Sequence, residues 1–244
     1  MFTVYHSNQL DLLKELTSQV MTIQPLNSVF SPEIILVQSH GMGQWLQIQL
    51  AEKLDVAANI HYPFPTQFVW NIYRIFYPDL PKSNIFDIDF MTWILLDILP
   101  DLIKQPQFTA LQNYFDFIDD KQKYYQLASM MAQLFDQCLV YRPDWLKAWE
   151  NNQIIEGIDQ TQLWQAALWR ELVFASKKLT PAYAHRSEIH MNVIKALNNK
   201  LSLSVIEQLP KRIFVFGIVS LPPMYLELFY SLSKYIDVHF MFMH

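Results

Sequence analysis

A chain of 244 residues with 52% hydrophobic and 15% aromatic side chains can bury a sizeable core, which excludes a disordered tail. Only 17% of residues are charged and the formal net charge is −5, so a broad basic face for neutralising duplex phosphates is excluded, while a local groove is not. The single cysteine, Cys138, rules out a disulfide framework or a cysteine-based metal site and fits a reducing, intracellular compartment. Such low charge points to an exterior covered by a partner or by further chain. No basic region followed by an apolar run opens the sequence, and no apolar segment approaches the ~20 residues that span a bilayer. A soluble, cytoplasmic protein with no membrane contact is expected.

The first strand is expected at 2–5. A helix follows, with Asn8 as N-cap, Asp11 three positions on, and an apolar face of Leu13, Leu16, Val20 and Ile23 that stops at Pro25. A buried strand at 34–37, a polar loop at 38–43 and a helix at 44–54 come next; Leu46, Leu50 and Leu54 share one stripe of that helix. Residues 59–65 read as a proline-fixed connector, and an aromatic helix runs from Thr66 or Gln67 to Phe76. From 78 to 200 the pattern is helical, at 87–99, 107–118, 121–141, 143–150, 161–178 and 187–200, punctuated by Pro78, Pro81, Pro100, Pro106, Pro143 and Pro181. A strand at 211–217, a helix at 225–234 entered through Pro222 and Pro223, and a strand at 237–243 restore the α/β pattern. The last strand looks cut off, so an N-terminal piece of a longer protein is expected. The fold class is α/β with a parallel sheet, divided into a first part at 1–77, an all-helical insertion at 78–205 and a return to the sheet domain at 206–244.

A sheet of strand–helix units with a helical insertion is how superfamily-1 helicase motors begin, so a motor would have to show its nucleotide site. A P-loop needs glycines whose amides cradle phosphates and a lysine on the β/γ-phosphates. The first strand is followed by His6-Ser-Asn-Gln-Leu, with neither. Where a later strand should end in a Mg²⁺-binding Asp and a catalytic Glu stand Phe216 and Gly217. The frame is that of an inactive motor. His185 and His190 are five apart, which fits no common zinc spacing, and are expected on helix surfaces. Asp116, Asp119 and Asp120 read as a solvated loop, and Asp87 and Asp89 as helix-start residues. Ser39 lacks the glycines of a nucleophile elbow. No enzyme site is found.

Binding chemistry fits better. Gln38, Ser39, His40 and Gln44, at the carboxyl end of a strand, offer the amide, hydroxyl and imidazole groups that reach base edges and phosphates. Trp45 reads equally as a core anchor, and Phe64 and Trp70 around the proline turn share that ambiguity. Arg142 and Arg186 are isolated cations at helix boundaries, a setting typical of surface ion pairs.

The segments Val4-Tyr-His-Ser-Asn8, Ile35-Leu-Val-Gln-Ser39 with Gly41-Met and Gln44-Trp-Leu46, and Ala57-Ala-Asn-Ile60 resemble the start of the RecC family. So do Leu134-Phe-Asp-Gln137, Val140-Tyr-Arg-Pro-Asp-Trp145, Trp164-Gln-Ala with Leu168-Trp, and Phe216-Gly-Ile with Leu221-Pro-Pro. RecC proteins are gamma subunits of the RecBCD helicase–nuclease, exodeoxyribonuclease V. The resemblance implies a catalytically dead superfamily-1 helicase fold that scaffolds RecB- and RecD-type motor subunits. It further implies that the fold channels the single strands of forked DNA and recognises the Chi octamer. It implies no cofactor in this chain, ATP and Mg²⁺ being used by the partner subunits. The family's strand-reading positions match at Gln38, Gln44, Trp70, Leu134, Asp136, Gln137, Arg142 and Arg186. Positions 40, 64 and 133 belong to the same set and depart from the best-known members in being His40, Phe64 and Gln133. The alternative from another class is a structural module that holds the motor subunits without reading DNA.

Overall fold

In the computed structural model, residues 1–28, 30–81, 84–112, 121–180 and 184–243 are described. Two compact units are present: Met1–Leu80 with His190–His244, and Pro81–Ile189.

The first unit holds a five-stranded sheet. Its strands are β1 (Phe2–Ser7), β2 (Glu33–Leu36), β3 (Ile60–His61), β4 (Arg212–Phe216) and β5 (Asp237–Met243), in the order β1-β5-β4-β2-β3, and every pairing is parallel. Successive strand residues face opposite sides; both sides are covered at β4, whereas Phe2, Val4 and His6 of β1 stay exposed. On one side α1 (Leu10–Ile23) and α2 (His40–Leu54) bring Leu13, Met21, Leu46 and Leu50 onto Ile35, Val37, Phe214, Phe216 and Met241. On the other, Phe68 of α3 (Pro65–Phe76) meets Phe229 of α11 (Pro223–Leu232), which in turn lies 6.0 Å from Phe240. Each fully buried side chain of this size contributes about 1.5–3 kcal/mol.

The second unit contains α4 (Ile88–Leu102), a 3₁₀ turn (Pro106–Phe108), α5 (Thr109–Gln112), α6 (Lys121–Tyr141), α7 (Pro143–Glu150) and α8 (Gln162–Leu179). These elements surround one core that includes Met91, Leu99, Phe135, Trp149 and Trp169. The unit boundary falls within α9 (Arg186–Asn198), and the short α10 (Leu203–Gln208) precedes β4.

Several local expectations are corrected. α1 starts at Leu10 without a side-chain cap, because pairing with β5 keeps the chain extended to Ser7; Ser7 Oγ, not Asn8, accepts the Gln9 amide at 2.9 Å. α2 starts at His40 and absorbs the expected loop. β3 lies inside the expected connector, joined to β2 through Glu33↔Ile60 and Ile34↔His61. Pro100 does not stop α4, which runs on to Leu102, and the one-and-a-half-turn α10 had no foreseen counterpart. The expected helix at 107–118 is a 3₁₀ turn and α5 as far as Gln112; its remainder, Asp116, Asp119, Asp120 and Pro181 lie outside the described residues.

His185 and His190 are buried, not on helix surfaces. His185 Nδ1 accepts the Glu188 amide at 3.3 Å, so the imidazole caps the start of α9, and Nε2–H donates to Glu150 at 3.1 Å. Burial works against the Glu150 carboxylate, but hydrogen bonds from His185 and Trp169 hold its pKa below the usual range. His190 sits between the Tyr73 hydroxyl at 2.9 Å and Glu227 at 3.1 Å. Among the described residues no group of three His, Cys, Asp or Glu could hold a metal, and no helix is long and apolar enough to cross a membrane.

Candidate nucleic-acid interface

β2 and β4 are neighbours, but their chains leave in opposite directions. From β2 the chain passes through α2 to β3 on the outer side, whereas from β4 it passes through α11 to β5 on the other. Diverging loops of this kind open a crevice at the carboxyl ends of the two strands, the usual ligand position in open parallel sheets. Val37 and Gln38 follow β2 directly; Val37 is buried and its amide donates to Pro63 at 3.2 Å, while Gln38 emerges exposed. Ser39 is the N-cap of α2 and accepts the Met42 amide at 3.2 Å. His40 and Gln44, one turn apart on α2, are both exposed. The His40 ring lies 4.7 Å from that of Phe64, which occupies the N-cap position of α3 and is half-buried. The unit thus brings Gln38, His40, Gln44 and Phe64 together. Trp70, further along α3, is half-buried with its ring edge-on to Tyr73 at 5.6 Å. Trp45 turns inward to Phe216 at 6.4 Å and is a core anchor.

Phe216 closes β4, and Ser7 closes β1. Phe216 is fully buried in the core beside Trp45. Gly217 follows with φ +62°, a backbone conformation that suits glycine, and a Cβ there would lie 3.7 Å from Met42. Beyond β1, Ser7 and Gln9 lead into α1 with no glycine-built cradle.

A pocket of about 560 Å³ opens beside α2, lined by His40, Gly43, Gln44, Gln47, Ile60 and Tyr62. Burial pushes the Tyr62 hydroxyl well above the ordinary phenol range, so it stays a neutral O–H. Larger clefts of about 670 Å³ between β3, α3 and residues 207–211, and of about 590 Å³ between α4 and α8, carry none of the expected site residues.

In the helical unit, Gln133 and Gln137 are exposed on α6, one turn or about 6 Å apart along its axis. Leu134 between them is half-buried against the core. Asp136 is half-buried; burial raises its pKa, opposed by Arg186, whose guanidinium is 3.7 Å away. Arg142 occupies the N-cap position of α7 and is exposed. It donates to both oxygens of Asp144, at 3.1 and 2.8 Å, and its guanidinium carbon lies 3.9 Å from the centre of the Trp145 ring. Its hydrogen bonds hold the Asp144 carboxyl below the usual range. The Nε and Nη2 fork is taken by Asp144, which leaves the Nη1 donors, held over the indole, to meet a phosphate or a base edge.

Sequence reasoning did not single out Gln47, Ile60, Tyr62 or Trp145. The Arg142–Trp145 spacing carried a signal, one helical turn from a cap residue; Tyr62 carried none, because its place depends on β3.

The family model described as RecC, N-terminal domain, matches residues 2–244. The chain is similar to the RecBCD enzyme subunit RecC of Escherichia coli (strain K12), 42% identical over 242 residues covering 99% of this chain and 21% of that protein. It is 37% identical to the subunit of the same name from Haemophilus influenzae over 99% of this chain and 23% of that protein, and 23% identical to that of Mycolicibacterium smegmatis over 97% and 20%. The chain spans about a fifth of the length of these curated relatives. A match along nearly all of its residues identifies the chain as a member of the RecC N-terminal domain family.

Proposed function

We propose that this chain is the DNA-binding, non-catalytic N-terminal part of a scaffold subunit of a RecBCD-type complex, exodeoxyribonuclease V, in double-strand-break repair and recombination. In this reading it adopts an inactive superfamily-1 helicase fold with residues 81–189 as its helical insertion. RecB- and RecD-type subunits supply the ATP- and Mg²⁺-dependent motors. An unwound strand passes the two sets of side chains described above, and a Chi-type octamer is read by them. The observation that carries the reading is the exposed set Gln38, His40 and Gln44 at the switch point between β2 and β4. The apolar Phe216 and Gly217 stand where a motor would hold its acids, which supports strand contact without hydrolysis.

In the assembled complex, Gln44→Ala and Arg142→Ala are each expected to reduce the Chi response about tenfold while changing the unwinding rate less than about twofold. Equal loss of both activities would show a structural role instead. The chain alone is expected neither to bind nor to hydrolyse ATP, and DNA-dependent ATPase activity from it would sink the reading.

A second reading, a module that only holds partner subunits, draws on the helical unit. Phe90, Trp93 and Phe174 line the cleft between α4 and α8 and remain largely exposed.

A further inference from the structure

We propose that Gln47 and Tyr62 are specificity-determining residues of the strand-reading site: with Gln44 and Ile60 they form a pocket that takes one base turned out of the strand, selecting bases with an exocyclic amino group. This deepens the strand-reading function and rests on it.

His40, Gln44 and Gln47 follow one another at spacings of four and three on α2, so they share a helix face. Opposite them stand Ile60 and Tyr62 from β3 and its continuation. The two sides come close because residue 43 is glycine: a Cβ there would lie 3.1 Å from Tyr62 Cβ and 3.4 Å from Cγ. The pocket is open on one side, and its volume of about 560 Å³ is within the range of sites that hold small ligands.

Its chemistry is divided as an unstacked base requires, with apolar walls for the ring faces and polar groups for the edge. Ile60 and the Tyr62 ring supply the walls. Gln47 Nε2 donates to the Ala57 carbonyl at 2.6 Å, which fixes the amide, and among the described residues no donor reaches its Oε1. That oxygen is a fixed acceptor. The Gln44 side chain makes no hydrogen bond among the described residues, so its amide can turn to present donor or acceptor. The Tyr62 hydroxyl is buried without a hydrogen-bond partner among the described residues. A fixed acceptor is matched by the amino groups of adenine, cytosine or guanine, whereas the one edge donor of thymine, its N3–H, lies between two carbonyl oxygens that a fixed acceptor repels. His40, against Phe64 at 4.7 Å, stands at the mouth.

The test uses the full-length subunit in its assembled complex and single-stranded oligonucleotides carrying 8-azidoadenine at each position in turn. One position is expected to crosslink to residues 60–62 or to Gln47. Replacing adenine by thymine at that position should weaken binding about tenfold in the wild type and less than about twofold in Gln47→Leu. Crosslinks near Gln38 or Arg142 but none in the pocket would overturn the base pocket while leaving strand reading intact. Equal binding of adenine and thymine in the wild type would overturn the selectivity. No crosslink anywhere on this chain would overturn strand reading itself. The crosslink needs no variant, so it decides the matter even if Gln47→Leu folds poorly.

Discussion

Gly41 and Gly43 sit two apart in the first turn of α2 under opposite constraints. A Cβ on Gly41 would meet only Ser39 Oγ at 3.9 Å, whereas one on Gly43 would press on Tyr62 Cβ at 3.1 Å, an atom next to the backbone that cannot swing away. Helix propensity favours alanine over glycine by up to about 1 kcal/mol at either place. Overpacking costs about 1–3 kcal/mol. Gly41→Ala should therefore be neutral or stabilising and Gly43→Ala destabilising, read as opposite shifts of the urea midpoint. His239 of β5 is a second residue with a computable sign. It stacks between Tyr5 at 6.1 Å and Phe214 at 5.0 Å, and neither ring nitrogen has a hydrogen-bond partner among the described residues. Burial depresses its pKa and that of His190, so both are neutral in the folded chain and take up protons more readily when it unfolds. Their effect on stability is absent above the ordinary histidine pKa of 6.5, and stability falls as the pH drops from there towards the lower folded values. His239→Phe removes two unsatisfied nitrogens and is expected to add about 1–2 kcal/mol. It should also flatten the loss of stability between about pH 7.5 and about pH 5.5, measured by urea unfolding.

At the scale of elements, α2 depends on its first turn. The Ser39 hydroxyl is the only side-chain cap it has among the described residues, so Ser39→Ala is expected to cost about 1 kcal/mol and to release His40 from Phe64. Ser39→Asp should restore the stability, and fluorescence-monitored unfolding of the three proteins distinguishes these outcomes. The same turn shows what the sequence conceals. Two glycines and four polar residues between 38 and 44 have the composition of a loop, yet the cap at Ser39 and the close packing of Gly43 on Tyr62 make most of them helix. Four strands and most helices were legible because their apolar periods run for several residues. β3 was not: two residues cannot display an alternation, and its existence depends on Glu33 and Ile34 across the sheet. The candidate site was legible where polar residues follow a strand directly, as at Gln38, and illegible where a wall comes from another element, as at Ile60 and Tyr62. The burial of His185 and His190 was illegible for the same reason, since Glu150, Tyr73 and Glu227 satisfy them only once the chain has folded.

For the molecule as a whole, Arg212 shows how far apart the joined pieces lie in sequence. Buried at the head of β4, it pairs with Glu33 at the head of β2 and donates to the carbonyls of Val20 and Gln24 that end α1, at 3.4 and 2.6 Å. Among the described residues β1 is an edge strand that pairs only with β5, and β2 does not pair with β1. The helical unit is one continuous stretch, Pro81–Ile189. Synthesis from the N-terminus therefore leaves β1 without its partner until β5 is made, and leaves β2 only its two-residue pairing with β3 until β4 is made, while the helices of the continuous stretch can close upon themselves. In ribosome-arrested chains ending near residue 200, protease should spare the helical stretch and cut within the first eighty residues; extension past 243 should protect both. Until then Leu13, Ile35 and Val37, all fully buried in the folded chain, stand uncovered on an emerging chain, the interval in which a chaperone would be needed.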